Sequence, residues 1–218
     1  MPRPLTPYHR EVAARNRAAI LDAAAELFLA VGYDRTSLAR VAEGAGVSRA
    51  TLFKQFPSKA ELFEATVLAA GAAPEADPTD PAAPPDPAAP AGPEDFRAGL
   101  VQLGRAYADL LARPRMAGLM RTIIAESPRF PELRARTFDF GTLPALAALR
   151  RYLRGAEAAG VADLDDPEVA ATQFLGMIAA AVFWPGLVHG TWSITAEERL
   201  RAVDEAARTI AARYAGPG

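Results

Sequence analysis

The stretch Thr36–Lys59, TSLARVAEGAGVSRATLFKQFPSK, constrains the fold more tightly than any other part of the chain. Ser37 is a good N-cap, and Leu38, Val41, Ala42 and Ala45 follow at three- and four-residue spacing, which places them on one stripe of a helix. Gly46 stands where that helix needs a left-handed residue to end. Ser48 can cap a second helix whose inward pair is Leu52 and Phe56, and Pro57 ends it by removing an amide donor and biasing Phe56 towards extended backbone. Two short helices joined by a glycine turn have the pattern of a helix-turn-helix, whose second helix lies in the DNA major groove, and equally that of a small helical subdomain with a solvated basic face.

With Leu52 and Phe56 turned inward, Arg49 and Phe53 fall four apart on the outer side, as do Ala50 and Lys54. Arg49 and Lys54 can reach base edges or phosphates, Ala50 allows close approach, and Thr51 offers a hydroxyl. Ser58-Lys59-Ala60-Glu61 is a capping box that opens a further helix. It would set the Lys59 ammonium near that helix's N-terminal amides, as a phosphate site.

Residues from about Arg15 to Thr66, with ILDAAAELFLAVGYDRTSLARVAEGAGVSRATLFKQFPSKAELFEATV at their centre, resemble the DNA-binding domain of the tetracycline repressor (TetR) family of transcriptional regulators. The resemblance implies that Thr36 and Ser37 meet phosphate. It also implies that Ser48, Arg49, Ala50, Thr51, Phe53 and Lys54 face the groove, and that Lys59 lies on the DNA backbone. Many members carry Gly at position 50, Tyr at 53 and His or Tyr at 55, where this chain has Ala, Phe and Gln.

Half of the 218 residues are hydrophobic and β-branched runs are scarce, so the expected fold is all-α: a three-helix head carrying the motif and a larger helical body, about nine helices in all. The net charge of −2 hides an asymmetry, because residues 1–60 carry nine Lys/Arg against five Asp/Glu while the remainder is acidic. A basic head on an acidic body suits a protein that presents its head to DNA. The absence of Cys excludes disulfide and thiolate chemistry. No membrane span or signal-peptide core is visible, and the expected location is cytoplasmic.

Four segments are expected. Residues 1–14 form a flexible N-terminal arm, in which Arg3 and Arg10, with Arg15 and Arg17 just beyond, could reach DNA. Residues 15–71 form the DNA-binding domain and its connecting helix, with a first helix stopped by Gly32. Residues 72–93 hold eight Pro and eight Ala, a composition that predicts an extended or disordered linker. Residues 94–218 form a body of five further helices, broken at Pro114 and at the Glu126–Pro131 corner. Its later helices open at Asp166-Pro167, running to about Trp184, and at the capping box Thr195–Glu198. Parts of the body, including ESPRFPEL and DDPEVAATQFLGMI, resemble one group of TetR-family ligand-binding domains.

Apolar residues on more than one face of the last two long helices predict a homodimer through residues 168–184 and 197–212. Tyr107, Met116, Met120, Phe138, Phe174 and Met177 are candidate lining for an apolar ligand cavity. Neither His9 nor His189 belongs to a catalytic or metal-binding set, so no enzyme activity, metal or cofactor is expected. The expected function is that of a homodimeric regulator, a repressor bound to a palindromic operator in double-stranded DNA and released by a small apolar or aromatic effector.

Overall fold

The computed structural model describes residues 7–71, 86–133 and 144–216. Ten helices are named among these residues: α1 Pro7–Arg35, α2 Leu38–Gly44, α3 Arg49–Gln55, α4 Lys59–Gly71, α5 Pro93–Leu111, α6 Met116–Glu126, α7 Pro144–Ala158, α8 Pro167–Val182, α9 Trp184–Val188 and α10 Ala196–Arg213. The fold is all-α. The one β-type pairing among the described residues is an isolated antiparallel bridge between Ala162 and Ala215. The chain divides into two compact units, residues 1–82 with 114–138 and residues 83–113 with 139–218.

The first unit packs α1 to α4 and α6 round one aromatic centre. Ile20, Ala24 and Phe28 of α1 are fully buried with Leu52, Leu62, Phe63, Leu119 and Ile123. The Phe63 ring stands edge-on to Phe28 at 4.8 Å and to Tyr33 at 5.4 Å. Gly32 breaks α1 with φ +81°, a conformation open to glycine at little cost, and so turns the last residues towards α2. Two expectations change here. Residues 7–14, expected as part of a flexible arm, are the first two turns of α1, with a Glu11–Arg15 ion pair of 3.5 Å beside them; residues 1–6, with Arg3, lie outside the described residues. Residues 114–138, placed in the body on sequence, group with the N-terminal helices, because α6 buries Leu119 and Ile123 against α1 and α4.

The second unit joins α5, α7, α8, α9 and α10. Its helices approach closely where side chains vanish: a Cβ on Gly99 would lie 2.2 Å from Tyr152, and one on Gly104 would lie 2.8 Å from Val203 and 2.9 Å from Phe174. Tyr152 stacks on Phe96 and points its hydroxyl at the carbonyls of Asp95 and Phe96, 2.9 and 3.0 Å away. Asp166 caps α8 through Glu168 N at 2.8 Å, and Thr195 and Glu198 form the expected reciprocal box at the start of α10. α8 stops at Val182 rather than Trp184, since Pro185 cannot continue the helical ladder, and Trp184–Val188 forms the separate short helix α9. Part of the predicted linker is also held: Asp86 pairs with Arg151 of α7 at 3.3 Å, and Pro90 is buried. Residues 72–85 lie outside the described residues.

Candidate nucleic-acid interface

Local chemistry fixes the α2–α3 pair at both helix starts and at the turn. Ser37 Oγ accepts from Arg40 N at 3.3 Å, and Ser48 Oγ accepts from Thr51 N at 3.1 Å, each satisfying an amide that the helix start leaves open. Between them Gly46 takes φ +66°, and Val47 N returns to Ala42 O at 3.0 Å to close the turn. Leu52 and Phe56 are buried against Val41 and Ala42, which sets the rotation of α3 about its axis. Arg17 lies over the Phe56 ring at 4.7 Å, and Gln55 Nε2 reaches Ala13 O at 3.5 Å, so the early turns of α1 brace the same helix from behind.

That rotation leaves Arg49, Ala50, Phe53 and Lys54 exposed on one side, with Ser37 and Ser48 at the helix starts and Thr51 half-buried. The Ser48 and Thr51 hydroxyls bond each other at 2.8 Å. Arg49 and Lys54 have no carboxylate partner among the described residues, unlike Arg115, paired with Asp22 at 2.6 Å, and Arg129, paired with Asp34 at 3.2 Å. Phe53 is 50% exposed.

Two residues expected at phosphate are otherwise engaged. Thr36 is 2% exposed and its hydroxyl donates to Gly32 O at 2.7 Å, closing the break in α1. Lys59 does not turn its ammonium to the amides of α4. Its Nζ donates to the carbonyls of Tyr33, Asp34 and Thr36 at 2.9, 3.1 and 3.2 Å, and lies 4.4 Å from the Tyr33 ring centre and 5.9 Å from that of Phe130. Burial pushes the Lys59 amine below its ordinary value, opposed by Asp34, Glu126 and Glu132. An ammonium has three N–H donors, and all three are used on carbonyls at the end of α1 and in the turn after it. Sequence reasoning missed Tyr33 and Phe130 as the aromatic walls of this site, because both read as ordinary core.

The candidate ligand residues fall in both units. Met116 is buried and Met120 half-buried in the first, where Met120 packs on the aromatic core. Tyr107 and Phe174 are buried and Met177 half-buried in the second. Phe174 is accounted for by its packing over Gly104, and burial pushes the Tyr107 phenol up to about 12. Phe138 lies outside the described residues. Two surface grooves lie in the first unit, one of about 580 Å³ between α1 and α2 and one of about 280 Å³ between α1 and α6, and none of the other candidate ligand residues lines either. No described helix is long and apolar enough to cross a membrane, and the described residues contain no cluster of acidic or histidine side chains fit for a metal.

A capped two-helix unit with a glycine turn and exposed cations on its second helix defines a helix-turn-helix DNA-binding protein. Residues 20–66 match the family described as bacterial regulatory proteins, tetR family, and residues 98–216 match the AefR-like transcriptional repressor C-terminal domain. The chain belongs to the TetR family of transcriptional regulators. It is 45% identical over 56 residues to the HTH-type transcriptional regulator TtgR of Pseudomonas putida, an alignment covering 26% of this chain and 27% of that protein. The similarity thus spans about a quarter of the curated relative's length. The structure is similar to that of the flavonoid-responsive regulator FrrA, at 28% identity and TM-score 0.71, over 94% of this chain and 99% of that one. It is also similar to a TetR family transcriptional regulator from Pseudomonas syringae pv. tomato, at 25% identity and TM-score 0.68, over 93% and 98%.

Proposed function

We propose that the protein is a homodimeric repressor that holds a palindromic operator with the outward face of α3 and releases it when a small apolar or aromatic molecule binds. The observation that carries the reading is the pair of exposed cations, Arg49 and Lys54, without a carboxylate partner among the described residues, on a helix whose rotation is fixed by the burial of Leu52 and Phe56. Ser37, Ser48 and Thr51 offer hydroxyls to the DNA backbone, and Ala50 allows close approach to base edges. Thr36 and Lys59 support the head from within rather than touching phosphate.

Dimerisation is supported by the outer side of α8. Val169, Gly176 and Ala180 are exposed in the single chain, with exposed Trp184 of α9 just beyond, whereas Phe174, Ile178 and Val182 fill its own core. A helix that exposes apolar residues opposite its buried face, here beside Thr172 and Gln173, is suited to a second partner, and a copy of itself is the simplest. On α10 the apolar residues Val203, Ala207 and Ile210 are satisfied within the protomer, so that helix would bring Leu200 and charged side chains to the seam. An apolar or aromatic effector is supported by the apolar candidate residues and by the flavonoid response named for FrrA.

The test is selection of bound sequences from a random DNA pool, followed by band shifts challenged with unrelated duplex and with a panel of apolar aromatics. A repressor of this kind enriches a two-fold symmetric sequence, keeps it against unrelated DNA and releases it to at least one compound. Equal competition by unrelated DNA refutes sequence-specific binding, and retention against every compound refutes the effector.

A further inference from the structure

We infer that Phe53 reads a thymine, its ring covering the 5-methyl group of that base in the major groove of each half-site. The inference rests on the DNA-binding reading above and adds to it one base identity and the residue that sets it. Phe53 is 50% exposed on α3, one helical turn from Arg49 and three residues beyond exposed Ala50. Ala50 and Phe53 therefore form an apolar spot flanked by two cations. A phenyl ring has no donor or acceptor, so Phe53 cannot hold a phosphate or read a base by hydrogen bonds.

When α3 enters the groove, the ring must lose water against something. Carbonyl oxygens, ring nitrogens and amino groups in the major groove are better left hydrated than covered by a ring. The thymine methyl is the apolar group displayed there, and Phe and Ala are side chains suited to meet it. The ring's position is fixed from behind, since Leu52 and Phe56 are buried and Ser48 caps the helix. The selectivity at this position is thus carried by apolar contact, whereas Arg49 and Lys54 supply hydrogen bonds and charge.

The test uses the full chain and a site taken from the selection above. Each thymine is replaced in turn by deoxyuridine, which deletes the methyl and keeps every hydrogen-bonding atom, and affinity is read by fluorescence anisotropy at fixed salt. One methyl removed from cover is worth about 4-fold per half-site, so uracil at one symmetric position should weaken the parent by roughly 15-fold when both half-sites are changed. Phe53→Ala should weaken binding to the thymine site and become insensitive to uracil there, while Phe53→Leu should keep most of the discrimination. An enriched half-site without thymine, uracil tolerated at every position, or Phe53→Ala with the parent's uracil sensitivity each overturns the inference while leaving sequence-specific binding intact. Enrichment of no sequence overturns the DNA-binding reading itself, and this inference with it. Because Phe53 is exposed, its substitution leaves the folded head in place, as matching circular dichroism melts of the variants should show.

Discussion

Replacing Lys59 by Ala separates a support inside the head from a phosphate contact. The substitution deletes three donors, at 2.9, 3.1 and 3.2 Å from carbonyls where α1 ends, and a cation 4.4 Å from the Tyr33 ring centre. Two of the three bonds are partly buried, so water only partly replaces them. A hydrogen bond to a charged group contributes about 1.5–3 kcal/mol net, and an exposed one less. Allowing for partial rehydration, the loss should be about 2–3 kcal/mol. For a chain of this length each kcal/mol moves the melting temperature by about 2–4 °C, giving a fall of roughly 5–10 °C by circular dichroism. DNA affinity measured across a salt series should keep its slope, because the three donors of Lys59 are engaged by carbonyls of the head itself. A slope reduced by about 0.9 for each Lys59 removed, with the melting temperature unmoved, would refute the assignment and return Lys59 to the DNA backbone.

Further outcomes follow from other residues. Arg49→Ala should relax sequence preference, each lost base contact costing about 1–3 kcal/mol, whereas Lys54→Ala should lower the salt slope and weaken all sequences alike; both are read from binding isotherms on selected and scrambled DNA. Ala180→Glu places a carboxylate on the exposed side of α8, so it should convert a dimer to a folded monomer in sedimentation at micromolar concentration; a dimer of parental strength refutes that face as the seam. Gly99→Ala drives a methyl to 2.2 Å from Tyr152 and should destabilise by about 1–3 kcal/mol in denaturant melts despite alanine's better helix propensity. The Tyr107 and Tyr152 phenols are held near 12 by burial, above the ordinary 10.0. Their contribution to stability is therefore whole below pH 10 and is lost as pH rises through 12, so a titration followed by phenolate absorbance should show late ionisation lost in Tyr107→Phe and Tyr152→Phe, together with alkaline unfolding.

The head was legible because its determinants are local. A cap at Ser37, a left-handed glycine at Gly46, a cap at Ser48 and an inward pair at Leu52 and Phe56 are each set by residues within four positions, and each is found as expected. The direction of Lys59 was not legible, because its acceptors are carbonyls 23 to 26 residues earlier in the chain. Its neighbour Phe130 lies farther still along the sequence. The start of α1 at Pro7 was hidden by an N-terminus rich in proline and polar residues, which reads as arm until Arg17 is seen over Phe56 and Gln55 on Ala13. Likewise the apolar residues of α10 gave no sign of which faced inward, since Val203 and Ala207 are used up by the close approach of α5 at Gly104 and by the packing of α8.

The placement of α6 bears on how an effector could act. Leu119 and Ile123 belong to the same buried cluster as Phe28, Leu62 and Phe63, and the corner after α6 returns Arg129 to Asp34 and Phe130 to Tyr33. A helix so held cannot shift without disturbing the residues that close α1 and seat Lys59, because a packed aromatic core resists gradual deformation. In the proposed regulator, then, a ligand that favours a different position of α6 would alter the head through these contacts, and the Pro-Ala tract need carry no force. Its differential affinity for the two positions sets the limit, with a coupling of about 1–3 kcal/mol giving roughly 5- to 150-fold in operator affinity. The Lys59 site is the point where that strain would be felt first, since three carbonyls, two rings and one ammonium must all keep their places for the turn into α2 to hold.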